Sequence, residues 1–517
     1  MARAAVAIVL GLILSGLASA LGGEDSMTVA TIDIGGRRQF WFNAQALVDE
    51  SAHLRIHQRR PVKHSGNPIL VADRPWEGTV IQLYSPDVHH DARTGQWQMW
   101  YEGHPAEVLL CTAFSKDGIR WTKPSLGIQQ WQGSRENNII LQTGYWDAHC
   151  ASVVEAPTEK DPSRRYKLYY WVGPEWFDKN NPLHVACGNK VKDYKQNGHY
   201  VAFSADGVRF TPKTDAPVLR TSDFNTTLFD ERLGRYRSYH KIERKAAGWD
   251  VERRCMSMAE SEDGVRFGRS RPVLAPDATD DELARAAGGV RAEFYGMHAW
   301  PQEGFYLGLL WVFTVTKGNP QLGRGWDDGR IQPHLIYSAD GITWHRLPVR
   351  EPFIPCGPAG SFESGSIYSS GDHPVVIGEE VRFYYFGVSY THGETTPVSS
   401  PKNYSGVGLA TLQRDRYVGW QAGTAGGTLL TKPLKFSGRQ LHLNLDAARG
   451  AARVALLDVE GKPLPGFGLE DCKPMLTDSL DHVVTWTGGS DLSALSGRGV
   501  RLRFSLRHSV LYTWEFK

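Results

Sequence analysis

The sequence predicts an all-β chain: a five-bladed β-propeller followed by a small C-terminal β-sandwich. Three observations predict it. A turn motif recurs along the chain, a strand-like aromatic run precedes each copy, and a glycine-rich joint separates these units from a tail of alternating strands. The turn reads Ser115-Lys-Asp-Gly-Ile-Arg-Trp121, then Ser204-Ala-Asp-Gly-Val-Arg-Phe210, Ser261-Glu-Asp-Gly-Val-Arg-Phe267 and Ser338-Ala-Asp-Gly-Ile-Thr-Trp344. A degenerate version follows at Leu412-Gln-Arg-Asp-Arg-Tyr-Val418. Asp-Gly favours a tight turn because glycine takes a positive φ without a side-chain clash, and the flanking serine and aromatic stitch and bury it.

The elements follow in order. Residues 1–20 read as a signal peptide: Arg3 supplies positive charge, Ala4 to Leu17 is apolar, and Ala18-Ser19-Ala20 is a small-x-small cleavage site. The apolar run is too short to anchor the chain in a bilayer, so an exported protein is expected, periplasmic or extracellular. Residues 21–60 are taken as an N-terminal extension packing on the propeller, and residues 61–425 as the propeller itself. Its strand-like runs are Gln96-Trp-Gln-Met-Trp-Tyr101, Tyr166-Lys-Leu-Tyr-Tyr-Trp171, Arg235-Tyr-Arg-Ser-Tyr239, Phe305 to Phe313, and Val381-Arg-Phe-Tyr-Tyr-Phe386. Repetition of such strands with a turn at similar intervals is the pattern of four-stranded sheets arranged radially. Asp277 to Gly288 alone reads as a helix, acidic at its start and glycine-terminated. The joint lies at Gly423 to Gly427. Beyond it, residues 426–517 carry the alternating runs Gln440 to Leu445, Ala452 to Asp458, His482 to Trp486 and Val500 to Phe504, which read as a sandwich bracing its neighbour.

The composition, 41% hydrophobic and 22% charged, is that of a soluble globular chain, and a net charge of +2 without long charge runs argues against nucleic acid as a partner. Six cysteines without a C-x-x-C pair argue against zinc, and they allow one or two disulfides in an oxidising compartment. No Walker loop, Rossmann fingerprint, His-Glu-x-x-His or Gly-x-Ser-x-Gly is present.

Several segments resemble exported bacterial five-bladed propeller proteins similar to glycoside hydrolase family 32 and, more loosely, family 43. They are Asn67-Pro-Ile-Leu70 with Arg74-Pro-Trp-Glu77, Ser85-Pro-Asp87, Glu293-Phe-Tyr-Gly-Met297, Pro352-Phe-Ile-Pro355 with Ser361-Phe-Glu-Ser-Gly365, and Gly408-Leu-Ala-Thr411. In the tail the resemblance extends to Thr431-Lys-Pro433 and Leu469-Glu-Asp-Cys472. The Trp-Met-Asn-Asp-Pro-Asn-Gly, Arg-Asp-Pro and Glu-Cys signatures of family 32 do not stand intact, so its fructoside specificity and its triad do not carry over. The resemblance implies an exported glycoside hydrolase acting on an oligo- or polysaccharide.

Glycosidic cleavage needs two carboxyl groups, one donating a proton and one acting as nucleophile or base. Each predicted unit supplies an acid near the start of its innermost strand: Asp87, Asp147, Asp223, Glu293 and Glu363. Asp87, which also matches the first-blade acid of the resembled families, is expected to be the nucleophile or base. Glu293 is expected to be the general acid, kept protonated by burial against Tyr295 and Trp300. Asp223 is expected to stabilise the transition state or orient a sugar hydroxyl, with Asp147 and Glu363 in reserve. Trp76, Glu77, Trp146, His149, Tyr295 and His298 are candidate substrate-binding residues, and Trp176 and Trp326 flank loops near the same mouth. Long segments at Pro174 to His199, Lys317 to His334 and Ser389 to Ser405 are expected to overhang the site. No cofactor is expected; a channel calcium is compatible with the pattern but not predicted. The competing readings are a non-catalytic carbohydrate-binding propeller and a structural or interaction propeller. Oligomeric state, sugar, linkage and anomer are not legible in the residues.

Overall fold

The five aromatic runs become the second strands of five successive antiparallel sheets. The computed structural model describes residues 30–78, 87–105, 108–142, 150–173, 194–317, 327–370, 373–393 and 405–517. The first sheet contains Asp87–Asp91, Gln96–Gly103, Leu109–Ser115 and Trp121–Thr122, with Ile139–Gln142 also on the third strand. The second runs Ser152–Glu155, Tyr166–Val172, Gly198–Ser204 and Thr211–Lys213, and the third Asn225–Asp230, Arg235–Arg244, Arg253–Ser261 and Arg271–Leu274. The fourth runs Arg291–Gln302, Phe305–Lys317, Asp328–Ser338 and Trp344–Arg346. The fifth has Ser366–Ser369, Glu380–Val388 and Ser405–Gln413, and its outer strand is Val62–Lys63 from the N-terminal side. Middle strands such as Tyr166–Val172 are buried on both faces, which is why they read as aromatic and apolar runs interrupted only by a charge such as Lys167.

All four Ser-x-Asp-Gly motifs join a third strand to its short fourth strand and share one geometry. The serine hydroxyl accepts from the glycine N–H at 2.9, 3.0, 2.9 and 2.8 Å at Gly118, Gly207, Gly264 and Gly341. The aspartate carboxylate accepts from the two N–H groups after the glycine, for example Ile119 and Arg120, both at 2.8 Å. Each glycine has φ between 71° and 73°.

The turns also join sheets. Trp100 Nε1 donates to the Gly207 carbonyl at 2.7 Å, Tyr169 Oη to Gly264 at 2.8 Å, and Tyr239 Oη to Gly341 at 2.7 Å. Tyr384 Oη of the fifth sheet donates to Gly118 of the first at 2.9 Å. In the degenerate copy Asp415 takes the positive φ, 66°, and receives Gln302 Nε2 of the fourth sheet at 3.2 Å.

The helix is Ala278–Ala286, capped by Asp277, with Asp280 completing a capping box. No helix among the described residues is long and apolar enough to cross a membrane.

The remaining strands form two further sheets. One orders Ile32–Gly35, Leu434–Phe436, Gly499–Arg507, Gly427–Thr431 and Val48–Ala52, with Ala451–Leu457 on Gly499–Arg507. The other orders Leu54–Gln58, Val418–Ala422, Ser509–Phe516, Leu441–Asp446 and Asp478–Val483. The N-terminal extension thus contributes strands to both tail sheets, while Phe40 and Phe42 also pack on Phe305 and Tyr337 of the fourth sheet. Val418–Ala422, placed before the joint at 425 by its sequence position, pairs with strands of the tail. The predicted strand at His482 to Trp486 is displaced: it ends at Val483, and Trp486 turns inward to donate to the Val454 carbonyl at 2.9 Å.

Cys111, Cys255, Cys356 and Cys472 are free thiols, and burial pushes the thiols of Cys255 and Cys356 up to about 12. Cys187 lies outside the described residues.

Candidate active site

Side-chain hydrogen bonds lace the first strands of the five sheets together in order. Val153 N donates to Asp87 Oδ2 at 2.6 Å, and Thr227 N to Ser152 Oγ at 3.1 Å. Thr226 Oγ1 donates to the Met297 carbonyl at 2.6 Å, and His298 Nδ1 lies 3.0 Å from Ser369 Oγ. The starts of these strands lie at one end of the array and their ends at the other.

A charged cluster fills the starting end between the third and fourth sheets. Lys241 reaches Asp223 at 2.6 Å, and its ammonium lies 4.1 Å from the centre of the Tyr295 ring. The Arg254 guanidinium lies 5.5 Å from the same ring and 2.6 Å from Glu293. Arg291 reaches the other Glu293 oxygen at 2.7 Å, and both arginines contact Asp327, at 3.3 and 2.6 Å. Arg254 is pulled in two directions. Burial disfavours its charge, but Glu293, Tyr295 and Asp327 outweigh burial and raise its pKa.

The backbone explains the geometry. The pairing register slips between Phe294 and Gly296, so Tyr295 is an extra residue and its side chain is re-aimed, as bulges do beside functional sites. At Gly296 a Cβ would stand 2.6 Å from the Phe224 ring, so the missing side chain lets Phe224 pack there and holds the adjacent Asp223 close to Tyr295.

His392 completes the cluster from the segment after the fifth sheet's second strand. Its Nδ1 is 2.8 Å from the Asp327 carbonyl and its Nε2 is 2.9 Å from Tyr295 Oη. A carbonyl only accepts, so Nδ1 carries the hydrogen and Nε2 accepts from the tyrosine. Burial above all, with help from Arg254 and Lys241, lowers the imidazole pKa to about 4, which keeps the ring neutral near pH 7. Burial raises the phenol pKa of Tyr368 in the fifth sheet, and Tyr295, Tyr390 and Cys150 add to the effect, so groups from several sheets act on one another here.

The predicted residues divide. Asp223 and Tyr295 share this cluster with Glu293, but the expectation for Glu293 is corrected. Two guanidiniums hold it as an ion-paired carboxylate, and Trp300 is seven positions along the same strand, toward its far end. Both of its oxygens are engaged by guanidiniums, where the sequence expectation places it against an apolar surface.

Asp87 is 1% exposed in the wall between the first and second sheets. His298 is buried and stacks on Trp300 at 5.7 Å. Glu77 is a second correction: it is fully buried, accepting from the N–H groups of Asp73 and Arg74 and from Tyr101, with Lys123 2.7 Å away, so it caps a turn and offers no oxygen to substrate. Trp76 is half-buried, donating to Asn138 at 2.7 Å with its ring against Trp131. Glu363 is corrected in the same way, because Lys63 of the outer strand at 2.7 Å and Tyr385 of the second strand at 2.5 Å tie it into the fifth sheet.

Asp147, Trp146, His149, Trp176 and Trp326 lie outside the described residues, as do most of the three long segments. Among the described residues no group of three or more His, Cys, Asp or Glu is placed to hold a metal ion.

Lys241, Arg254, Asp327, Tyr368 and His392 were missed. The only trace in the sequence is charge set inside otherwise apolar strands, as at His240-Lys241 and Arg253-Arg254, and such charge has no spacing rule.

The opposite end holds a cavity of about 760 Å³ lined from every one of the five sheets or its connecting loops, including His89, Glu155, Leu228, Trp300 and His373. There His89 and Arg165 pull the Glu155 pKa down to about 2.

No protein-family model and no curated protein sequence matches the chain. Solved structures do. One is described as a glycoside hydrolase, 11% identical with a TM-score of 0.44, covering 69% of this chain and 92% of its own. Another is an N-acetylgalactosamine deacetylase from F. plautii in complex with blood group B trisaccharide, 14% identical with a TM-score of 0.42, covering 71% and 97%. A third is a thermostable family-43 glycoside hydrolase, 11% identical with a TM-score of 0.42, covering 65% and 91%.

Proposed function

We propose that this chain is an exported glycoside hydrolase acting on an oligo- or polysaccharide. In this reading the five sheets are blades of a five-bladed β-propeller and the two tail sheets a small β-sandwich. The contact from Tyr384 of the fifth sheet to Gly118 of the first repeats the link between neighbours elsewhere, which supports closure into a ring. The leader at residues 1–20 supports export.

The observation that carries the reading is the cluster at the strand starts. Asp223 and Glu293, from different sheets, flank the Tyr295 ring beneath Lys241 and Arg254. Carboxylates, a phenol and fixed cations gathered at the strand starts are groups that can bind sugar hydroxyls and stabilise an oxocarbenium-like transition state. Asp87 is the nucleophile or base, Asp223 orients a hydroxyl or stabilises developing positive charge, and Glu293 holds Arg254 and Arg291 in place.

The test is a panel of chromogenic and natural glycosides offered to the mature protein from Leu21, beside Asp87→Asn and Asp223→Asn. Turnover should fall about a hundredfold or more in each variant with folding intact. Turnover that survives both changes would remove these residues from the chemistry. A second reading, a sugar-binding propeller without turnover, is favoured by the ion pairing of Asp223 and Glu293, which leaves neither as an obvious proton donor. Sugar binding without turnover of any glycoside would select it.

A further inference from the structure

Glycoside cleavage needs a proton for the departing oxygen, and all three of the cluster's carboxylates are paired with cations, Glu293 and Asp327 both with Arg254 and Arg291. The third, Asp223, sits against Lys241. The geometry points to Tyr295 as the proton donor of the site, with His392 as the residue that positions its hydroxyl. The inference rests on the hydrolase reading above and names a residue for its acid step.

Three features carry it. Tyr295 is the bulged residue of its strand, so its ring leaves the sheet's regular alternation and stands half-buried in the cluster. His392 presents a bare Nε2 at 2.9 Å because its Nδ1 hydrogen is spent on the Asp327 carbonyl, so the phenol hydrogen has a fixed resting place. Being buried and neutral, His392 orients the hydroxyl without removing its proton. The ring is also faced by Lys241 at 4.1 Å and Arg254 at 5.5 Å, cations that stabilise the phenolate left when the proton departs. Among the described residues, Glu293, Asp327 and Arg291 beside Arg254, Asp223 on Lys241, and Tyr368 with Tyr390 and Cys150 near it also belong to this cluster.

The step balances. As the bond between the anomeric carbon and the glycosidic oxygen breaks, its electron pair goes to that oxygen, which takes the Tyr295 proton. Water then adds its hydroxide to the anomeric carbon while Asp87, the base of the reading above, takes its proton; exchange with solvent removes that proton from Asp87 and returns one to the phenolate. The products are two sugars with free hydroxyls, and the tyrosine is restored.

A proton donor matters when the leaving group is a poor one and hardly at all when it is good. Wild type, Tyr295→Phe and His392→Gln are therefore compared on a nitrophenyl glycoside and on the natural or alkyl glycoside of the same sugar. Tyr295→Phe is expected to lose about a hundredfold or more in kcat on the alkyl substrate and far less on the nitrophenyl one. His392→Gln should show the same leaving-group dependence with a smaller loss. Tyr295→His, which restores a titratable donor, is expected to recover part of the alkyl activity and to shift its pH profile to lower pH.

Equal losses on both substrates, with wild type active, would overturn the donor role and leave Tyr295 as a binding residue while the hydrolase reading stands. Absence of turnover by wild type on every glycoside would overturn both. Loss of the folded circular-dichroism spectrum in Tyr295→Phe would also count against the assignment, because it makes the ring a packing residue.

Discussion

Glu293 is 1% exposed, with Arg254 and Arg291 at 2.6 and 2.7 Å from its two oxygens and Asp327 in contact with both arginines. The chemistry of a carboxyl group follows from such neighbours and not from its place in a strand. Glu293→Gln keeps the shape and removes the charge that two guanidiniums need. Breaking a buried pair by taking one partner costs about 3 kcal/mol or more, because the partners stay buried without compensation. A urea midpoint that does not move would show that Asp327 alone neutralises both arginines. The same logic separates the acids legible in the sequence. Asp223 and Asp87 were recognisable by their place ahead of strands. The burial of Glu77 under Lys123 and of Glu363 under Lys63 depends on chain segments far away in sequence, so no local pattern announced it. His392 and Lys241 were invisible for the same reason.

Among elements, the Ser-x-Asp-Gly turn was read almost completely from the sequence: its serine, its aspartate and the positive φ of its glycine all follow from local chemistry. What the turn touches did not. At Gly118 a Cβ would stand 2.6 Å from Tyr384 Oη and 2.9 Å from the Trp97 ring, whereas at Gly95, with φ 71° against 73°, nothing lies within 4 Å. Gly95→Ala is therefore expected to cost only the left-handed conformation, about 1–2 kcal/mol. Gly118→Ala should cost distinctly more, because it also pushes the fifth sheet from the first. Equal losses in thermal unfolding would mean that the Tyr384 contact does not hold the sheets together.

These turns also carry a pH dependence. The Arg120 N–H first, then Ile119 N–H and the Ser115 hydroxyl, hold the Asp117 carboxyl below its ordinary range against the effect of burial. In Asp206, Asp263 and Asp340 burial acts to raise the pKa, but the N–H groups of the following residues outweigh it. A depressed carboxylate adds stability that is fully present above the unfolded value, about 3.9, and is lost as pH falls through the folded one. The turns' share of stability should thus be flat above pH 5 and decline below pH 4. Asp206→Asn with Asp340→Asn should flatten the decline; an unchanged acid limb in the double variant would exclude the turns as its source.

At the scale of the whole molecule, the N-terminal segment ties the ends of the chain together. Val62–Lys63 supplies the outer strand of the fifth sheet, Ile32–Gly35, Val48–Ala52 and Leu54–Gln58 enter the tail sheets, and Lys63 neutralises Glu363. Removing residues up to Lys63 would expose the edge of Ser405–Gln413 and strand a buried carboxylate. The truncated chain is expected to unfold at lower denaturant with a less cooperative transition, and hydrogen exchange should quicken first in Ser405–Gln413. Protection in that strand equal to full-length protein would mean that the closing strand is dispensable.

The sequence by itself determined the all-β character, the strands of the repeated units, the turn geometry and the capped helix Ala278–Ala286. Each of these depends on residues within a few positions of one another, where periodicity and turn chemistry act. Only the tertiary structure decided which acids are ion-paired and that the N-terminal strands complete other sheets. It also decided that a bulge and a glycine set Tyr295 beside Asp223, Lys241 and His392. Those outcomes are made by contacts between segments tens to hundreds of residues apart. A charge buried in the interior takes its role from whatever partner reaches it there, and no stretch of sequence contains both.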